Sequence, residues 1–221
     1  MNDLVIVGAG GHGKVVLDVV LAERRYRAVG FVDADPALTD AYVGGLPVLG
    51  SVNSLPRLRQ QRVRHAIVAI GDNRTRLRYA ALLREQGFEL ASAVHHSASV
   101  APSATVGDNV VVCPQAAVVC DARLGTAAIV NTGAVVDREC VIGDGAHVCP
   151  GAILAGQVRV GRGAFVGIGA QVIQCRSIGR FAVVGAGAAV IDDVADFTTV
   201  VGVPARAIRT AAEELAEPSV V

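Results

Sequence analysis

The sequence predicts an α/β N-terminal domain with a truncated parallel sheet, followed by a left-handed parallel β-helix of hexapeptide repeats. Strand-like and helix-like segments alternate over residues 1–93, and an aliphatic residue then recurs at every sixth position from Val100. The chain of 221 residues is 52% hydrophobic but only 4% aromatic, and it contains 25 glycines. A narrow, repetitive interior filled by Val, Ala, Ile and Leu accounts for that composition.

Residues 1–93 alternate between short apolar runs and amphipathic segments. We expect strands at 4–7, 28–32, 47–49 and 66–70, and helices at 15–22, 51–62 and 74–86. Strands that alternate with helices form a parallel sheet with helices on its faces. The length suits a truncated Rossmann-like domain.

Residues 100–195 divide into sixteen hexapeptides. The first position is Val, Leu or Ile in all sixteen, and the fifth is small and apolar in all but Arg176. A period of six is typical of a parallel β-helix, in which three hexapeptides close one coil and residues 18 apart stack. We expect a little over five coils within residues 94–196, with 94–99 as a cap. A C-terminal tail at 197–221 follows, with a helical turn or two at 211–216.

A glycine-rich loop, Gly8-Ala9-Gly10-Gly11-His12-Gly13, joins the first strand to the first helix. Such a loop lets the backbone approach a pyrophosphate, and the helix N-terminus supplies N–H donors. Asp33, twenty residues beyond Gly13, is placed to accept a hydrogen bond from a ribose hydroxyl. A dinucleotide and a nucleotide sugar both contain a ribose and a pyrophosphate, so the loop does not distinguish them. The sheet is too small for a full dinucleotide fold, which favours a nucleotide sugar. The alternative is that the loop is a purely structural turn and binds no nucleotide.

Other polar groups mark further candidate positions. Gly71, Asp72 and Asn73 follow a strand at the sheet edge where ligands bind, so we expect them to contact substrate. A helix cap is the alternative explanation for Asp72 or Asn73. His147 is the only histidine in the repeat proper, and a lone histidine of this kind is more often structural.

Composition and charge exclude several classes of protein. Twenty basic residues balance twenty acidic ones, so neither a nucleic acid nor an anionic membrane is an expected partner. The longest stretch without Asp, Glu, Lys or Arg, 90–107, is interrupted by His95, His96 and Pro102 and does not predict a membrane span. Asp3 lies where a secretory signal would be basic. Five cysteines match no zinc pattern, so we expect no metal and a cytoplasmic location.

Five segments in order, GAGGHGKVVLDVV, FVDADP, AIGDN, NTGAVVDRECVIG and GVPAR, carry a resemblance over nearly the whole chain. It resembles the sialic-acid O-acetyltransferase-like sugar acyltransferases, most of all the bacillosamine- and perosamine-type nucleotide-sugar N-acetyltransferases. The resemblance implies acetyl-CoA-dependent N-acetylation of a 4-amino-4,6-dideoxy nucleotide sugar for surface-glycan or glycoconjugate biosynthesis. It also implies a homotrimer with acetyl-CoA in the groove between neighbouring β-helices.

The resemblance also assigns residues to the two substrates. Those near the nucleotide sugar would be Gly10, Gly11, His12, Lys14 and Asp33. Those in contact with acetyl-CoA would be His147, Ile168 and Ala186, of which the last two are 18 apart and stack. Asn131 and Glu139 would frame the acceptor amine.

One catalytic position departs from the family. Its usual base is a histidine, and here that position is Arg138, while the neighbouring Glu139 remains. Arginine stays protonated and offers no lone pair, so it cannot accept a proton. Two alternatives therefore stay open beside N-acetylation. One is O-acetylation, which needs a base more than amine transfer does, and the other is a non-catalytic trimer that binds nucleotide sugars.

Overall fold

The computed structural model describes residues 1–210, which begin with a parallel sheet in the order β2-β1-β5-β6. The elements are β1 Asn2–Val7, α1 Gly11–Glu23, β2 Tyr26–Val32, β3 Tyr42–Val43, β4 Leu46–Pro47, α2 Leu55–Gln60, β5 His65–Val68, α3 Asn73–Glu85 and β6 Glu89–Leu90. The predicted alternation is confirmed. However, α1 begins at Gly11, four residues before the predicted start, because its first turn contains the glycines that local propensity disfavours.

The rest of the described chain is a parallel β-helix with three faces. The first face comprises Ala93–Val94, Val111–Val112, Ile129–Val130, His147–Val148, Phe165–Val166, Val183–Val184, Thr198–Val201 and Arg206–Thr210. The second comprises Ser99–Val100, Ala117–Val118, Val135–Val136, Ile153–Leu154, Gln171–Val172 and Ala189–Val190. The third comprises Thr105–Val106, Arg123–Leu124, Val141–Ile142, Arg159–Val160 and Ser177–Ile178. Within residues 1–210, no helix is long and apolar enough to cross a bilayer.

The hexapeptide pattern corresponds to the interior of the prism. From Val112 onward, the aliphatic first positions are buried and stack in one core with the small fifth positions. Val106, in the first coil, is 37% exposed because only one neighbouring coil covers it. The expected cap is different: Ala93–Val94 pairs in register with Val111–Val112 and is itself the first strand of the helix.

The end of the β-helix also differs from the prediction. The repeat was expected to stop at Val194, but Thr198–Val201 adds a parallel strand to the first face, and Arg206–Thr210 pairs with it antiparallel. Val184 pairs with Val200, sixteen residues on, instead of with Gly202 at eighteen. Because this last coil is two residues short, the hexapeptide pattern loses register there. The predicted turn at 211–216 lies outside the described residues.

The two parts share one apolar interface. Helix α1 packs on the outer side of the first face, where Val111 and Ile129 join the core of the α/β part. Asn109 is fully buried, and its amide accepts from the Val68 N–H at 2.7 Å and donates to the Val68 carbonyl at 3.3 Å. This pairing ties β5 to the start of the β-helix.

Arg76 makes the most extensive polar contact across this interface. It is fully buried in the first turns of α3, where its Nε donates to the Ala127 carbonyl at 2.8 Å and its Nη2 to the Gly145 carbonyl at 2.8 Å. The neighbouring Asn73 donates to the Gly163 carbonyl at 3.0 Å. Ala127, Gly145 and Gly163 are corner residues of three successive coils. The N-terminus of α3 therefore binds a ladder of carbonyl groups along one edge of the prism.

We expect Arg76→Met to lower the free energy of unfolding by about 3 kcal/mol, because the buried Ala127 and Gly145 carbonyls and the Asn73 amide oxygen lose their donor. Urea or thermal unfolding at matched protein concentration measures this. Arg78→Met, at an exposed position of the same helix, is the control and should change stability by no more than about 0.5 kcal/mol. Equal effects of the two substitutions would contradict the role given to Arg76.

Candidate active site at the junction of the two domains

The glycines of the N-terminal loop fall into two groups. Gly8 has φ +109°, and a Cβ there would lie 2.8 Å from the Ala69 carbonyl oxygen, while a Cβ at Gly13 would collide with the Gly8 carbonyl. These two are required for packing. In contrast, a Cβ at Gly10 or Gly11 would meet no atom within 4 Å. The loop thus leaves an open backbone surface at the N-terminus of α1, as an anion-binding loop requires.

Asp33 has a loop-stabilising role in the structure. Its Oδ2 accepts from the Ala9 N–H at 2.6 Å and its Oδ1 from the Asp35 N–H at 2.9 Å. A carboxylate can accept further bonds, so its contact with a ribose stays a prediction. Lys14 is exposed on the first turns of α1, beside the same loop.

The segment at 71–73 provides the helix cap that the sequence left open as an alternative to substrate contact. Gly71 is exposed, and its carbonyl accepts from Arg76 at 3.0 Å. Asp72 caps α3 by accepting from the Thr75 N–H at 2.8 Å. Burial pushes the pKa of this carboxyl upward, but the bonds from Thr75 outweigh it and the net pKa is lowered. Asn73 is buried and bonded to the β-helix, so it lies in the domain interface, and its contact with substrate stays a prediction.

His12 and His147 come together where the glycine loop meets the β-helix. Their ring centroids are 6.3 Å apart, and both rings are largely buried. Burial, and then the charge of Arg76, lower the pKa of His12 to about 4. Burial, Arg76 and then His12 lower the pKa of His147 to about 3. Both rings are therefore neutral at physiological pH.

The ring of His147 is held from two sides. Its Nε2 lies 3.0 Å from Asn131 Nδ2, and its edge meets the Phe165 ring at a centroid distance of 5.4 Å. Asn131, predicted to frame the acceptor amine, is thus in direct contact with the histidine predicted to contact acetyl-CoA. This pair and His12 lie together in one chain.

Arg138 and Glu139 lie elsewhere, on the corner between the second and third faces. Arg138 Nη1 donates to Glu139 Oε2 at 2.9 Å, and Gln157 Nε2 donates to the same oxygen at 2.7 Å. The guanidinium lies across Gly156, where a Cβ would come 3.1 Å from Arg138 Cζ. Both charged side chains are about half exposed. Within one chain, this corner is separated from Asn131 by the width of the second face.

Ile168 and Ala186 lie on the corner between the first and second faces. Ile168 is 61% exposed, Ala186 is also exposed, and the Gly187 N–H bonds the Ile168 carbonyl at 2.8 Å, so successive coils stack here as predicted. Asn131 lies on the same corner, two coils before Ile168. Ile168 and Ala186 thus form an exposed apolar track over two successive coils of this corner. Its contact with coenzyme stays a prediction.

Sequence reasoning missed Arg76 and Phe165 near the junction, and Gln157 at the Arg138–Glu139 corner. Arg76 is one of several arginines in α3, and nothing in the local pattern separates it from its exposed neighbours. Gln157 and Phe165 occupy hexapeptide positions that are solvent-facing by default. Stacking at a spacing of 18 was the one usable signal, since it places Gln157 directly over Glu139. In residues 1–210, no cluster of His, Cys, Asp or Glu side chains is arranged to hold a metal.

Comparison with known proteins gives a consistent result for sequence and structure. Residues 3–83 match the family of the PglD N-terminal domain. A variant of perosamine N-acetyltransferase from Caulobacter crescentus, solved with CoA and GDP-perosamine, has 43% identity and a TM-score of 0.90 over 94% of this chain and 97% of that one.

Two further solved structures are similar over the same extent. The acetyltransferase domain of PglB from Neisseria gonorrhoeae, solved with acetyl coenzyme A, has 36% identity and a TM-score of 0.88 over 94% of this chain and 100% of that one. WeeI from Acinetobacter baumannii has 26% identity and a TM-score of 0.82, also over 94% and 100%. No protein with a curated description matches the sequence.

Proposed function

Because the chain belongs to the hexapeptide-repeat sugar acetyltransferases, we propose that it transfers the acetyl group of acetyl-CoA to the amine of a nucleotide-linked amino sugar. Two of its relatives are named as N-acetyltransferase or acetyltransferase and carry CoA, acetyl-CoA or GDP-perosamine. We take the acceptor to be a sugar of the 4-amino-4,6-dideoxy type. A role in surface-glycan or glycoconjugate synthesis follows from that substrate class.

The adjacency of the glycine loop and His147 carries this proposal. The open backbone at Gly10 and Gly11 suits a sugar-linked diphosphate. The next residue of the loop, His12, has its ring centroid 6.3 Å from that of His147 on the first face. A nucleotide sugar on the loop and a coenzyme along the track would place their reactive ends at this junction. A nicotinamide dinucleotide would have no second α/β half to occupy.

The chemistry requires an amine to attack a thioester carbonyl. Both histidines at the junction are neutral, and Arg76 beside them disfavours a further positive charge. An ammonium group is therefore disfavoured there, and the sugar amine enters uncharged with its lone pair available. The departing CoA thiolate then accepts the proton as the intermediate collapses. Arg138 is not needed as a base in this route, which favours N-acetylation over O-acetylation.

We further propose that the enzyme is a homotrimer. Four of the six outward side chains of the second face are small and apolar or aliphatic, namely Ala117, Val135, Ile153 and Ala189, and the other two are Ser99 and Gln171. The third face instead presents Arg123 and Arg159. Packing of the second face against a neighbour would bring the Arg138–Glu139 corner of one chain toward the Asn131–Ile168 corner of the next.

We also propose a cytoplasmic location, where acetyl-CoA and nucleotide sugars are made. All five cysteines are free thiols, and Cys113, Cys140 and Cys149 are buried as small apolar fillers. That usage is typical of a reducing compartment.

For the trimer, light scattering should give about 68 kDa, three times the chain mass of 22.6 kDa. We expect Ile153→Glu to shift the mass toward the monomer, because a charge would be buried at an apolar contact from a side chain that is 45% exposed in one chain. Thr105→Glu, on the outward side of the third face, is the matched control and should leave the mass unchanged. A wild-type mass near 23 kDa would contradict the trimer.

For the transfer itself, we expect the wild type to acetylate a 4-amino nucleotide sugar slowly, with CoA release followed by thiol capture. Arg138→His should raise kcat about tenfold or more and add an ionisation near pH 6.5, since a general base is typically worth a hundred- to ten-thousandfold. Arg162→His, at a corner arginine of similar exposure, is the control and should leave the rate unchanged.

Two outcomes of this assay would contradict the proposal in different ways. If both proteins bind CoA normally but acetylate no amino sugar, the acceptor class is wrong. If neither binds CoA, the transferase assignment itself fails and a non-catalytic sugar-binding protein becomes the better account.

A further inference from the structure

A cavity of about 500 Å³ lies at the amino end of the parallel sheet, on the edge opposite the glycine loop. Its wall contains the first residues of β1, β2, β5 and β6, the last turn of α3, and Asp108 at the start of the β-helix. The volume is in the range of small-ligand sites. None of the residues assigned above to the nucleotide sugar or to acetyl-CoA lines this cavity.

Part of the lining is aromatic. Tyr26 and His65 begin the two strands that flank β1, and their ring centroids are 5.2 Å apart. Phe88, immediately before β6, also lines the cavity. Tyr26 is only 9% exposed, yet its hydroxyl makes no hydrogen bond within residues 1–210. The cavity therefore offers ring surface together with a hydroxyl that is not committed to the protein.

The rest of the lining carries charges of both signs. Arg84 Nη2 donates to Asp108 Oδ2 at 2.7 Å. His65 Nδ1 lies 3.6 Å from Glu89 Oε2. The Arg25 guanidinium lies 5.3 Å from the centre of the tyrosine ring and has no ion-pair partner within residues 1–210. Two carboxylates would repel an anion and two guanidinium groups would repel a cation, so the lining suits a polar ligand without net charge.

We propose that this cavity is a second binding site and that its ligand is a carbohydrate. Each sugar hydroxyl both donates and accepts hydrogen bonds, so it can bond to the guanidinium groups and to the carboxylates. The Asn2 amide, which also lines the cavity, adds a donor and an acceptor. The C–H groups of a sugar ring pack against aromatic side chains. This inference goes beyond the proposed function and does not depend on it.

The location of the site gives its ligand a structural effect. The Arg84–Asp108 ion pair joins the end of α3 to the first coil of the β-helix. Arg76 and Asn73 join the beginning of the same helix to later coils. A saccharide in the cavity would contact both sides of the ion pair, so it should stabilise the junction of the two domains at the end of α3 away from the glycine loop.

The direct test is ¹⁹F NMR of the full chain labelled with 3-fluorotyrosine. The chain contains three tyrosines, Tyr26, Tyr42 and Tyr79, and each signal is assigned by its loss when that tyrosine is replaced by phenylalanine. We expect titration with glucose, galactose or N-acetylglucosamine to shift the Tyr26 signal saturably and to leave the other two signals in place. No saturable shift with any of the three sugars would overturn the inference.

Inorganic phosphate and glutamine test the competing ligand classes on the same sample. Phosphate bound at the glycine loop should leave the Tyr26 signal unchanged, because the loop lies at the opposite edge of the sheet. If phosphate shifts the Tyr26 signal and binds more tightly than every sugar, the cavity is an anion site and the inference is wrong. The same result with glutamine would mean a site for zwitterions and would also overturn it.

A pair of neighbouring arginines provides matched variants. Arg25→Met removes a donor from the cavity and should weaken sugar binding about tenfold. Arg24→Met, at an equally exposed position that does not line the cavity, should leave the affinity unchanged. Sugar should also raise the Tm of the wild type more than that of Arg25→Met, because it binds the folded state. Equal affinities in the two variants would contradict the site, and no readout here requires turnover.

Discussion

The carbonyl ladder of Ala127, Gly145 and Gly163 is the interaction on which the geometry of the site depends. It receives Arg76 and Asn73 from the first turns of α3, and so fixes that helix along one edge of the β-helix. The same arginine bonds the carbonyls at 70 and 71, and that segment packs against the glycine loop. The position of the loop relative to His147 therefore depends on the contacts of α3, which packs on the opposite side of the parallel sheet from α1.

A second consequence of this arrangement is electrostatic. The buried guanidinium of Arg76 is hydrogen-bonded to carbonyls and an amide, and the Asp72 carboxylate acts on it only through space, so its charge also acts on other groups nearby. Burial, and then this charge, lower the pKa of His12 to about 4 and that of His147 to about 3, so both rings are neutral at the junction where we propose that the amine attacks. The replacement of the family's base histidine by Arg138 is consistent with this. That corner carries an exposed ion pair, while the neutral groups are concentrated at the junction.

The sequence predicted the large-scale fold well because a β-helix repeats the same hexapeptide pattern in every coil. The sixfold spacing set the three faces and the stacking at 18, and the glycine loop marked the start of α1. The shortened last coil was missed, because a coil that is two residues short moves Val200 out of the repeat. The interface roles of Asn73 and Arg76 were missed for a related reason. Their partners are backbone carbonyls some 50 to 90 residues away, which no local pattern identifies.

The central claim is that the glycine loop holds a nucleotide sugar beside the coenzyme track. Calorimetric titration of Gly11→Leu tests it most directly, because the added side chain enters open space at the loop and disturbs no packing. We predict that the variant loses about a hundredfold in affinity for a 4-amino nucleotide sugar and keeps its affinity for CoA, whereas Asp18→Leu, on an exposed part of α1, keeps both. Unchanged sugar binding by Gly11→Leu, or tight binding of NADH with none of nucleotide sugars, would contradict the account.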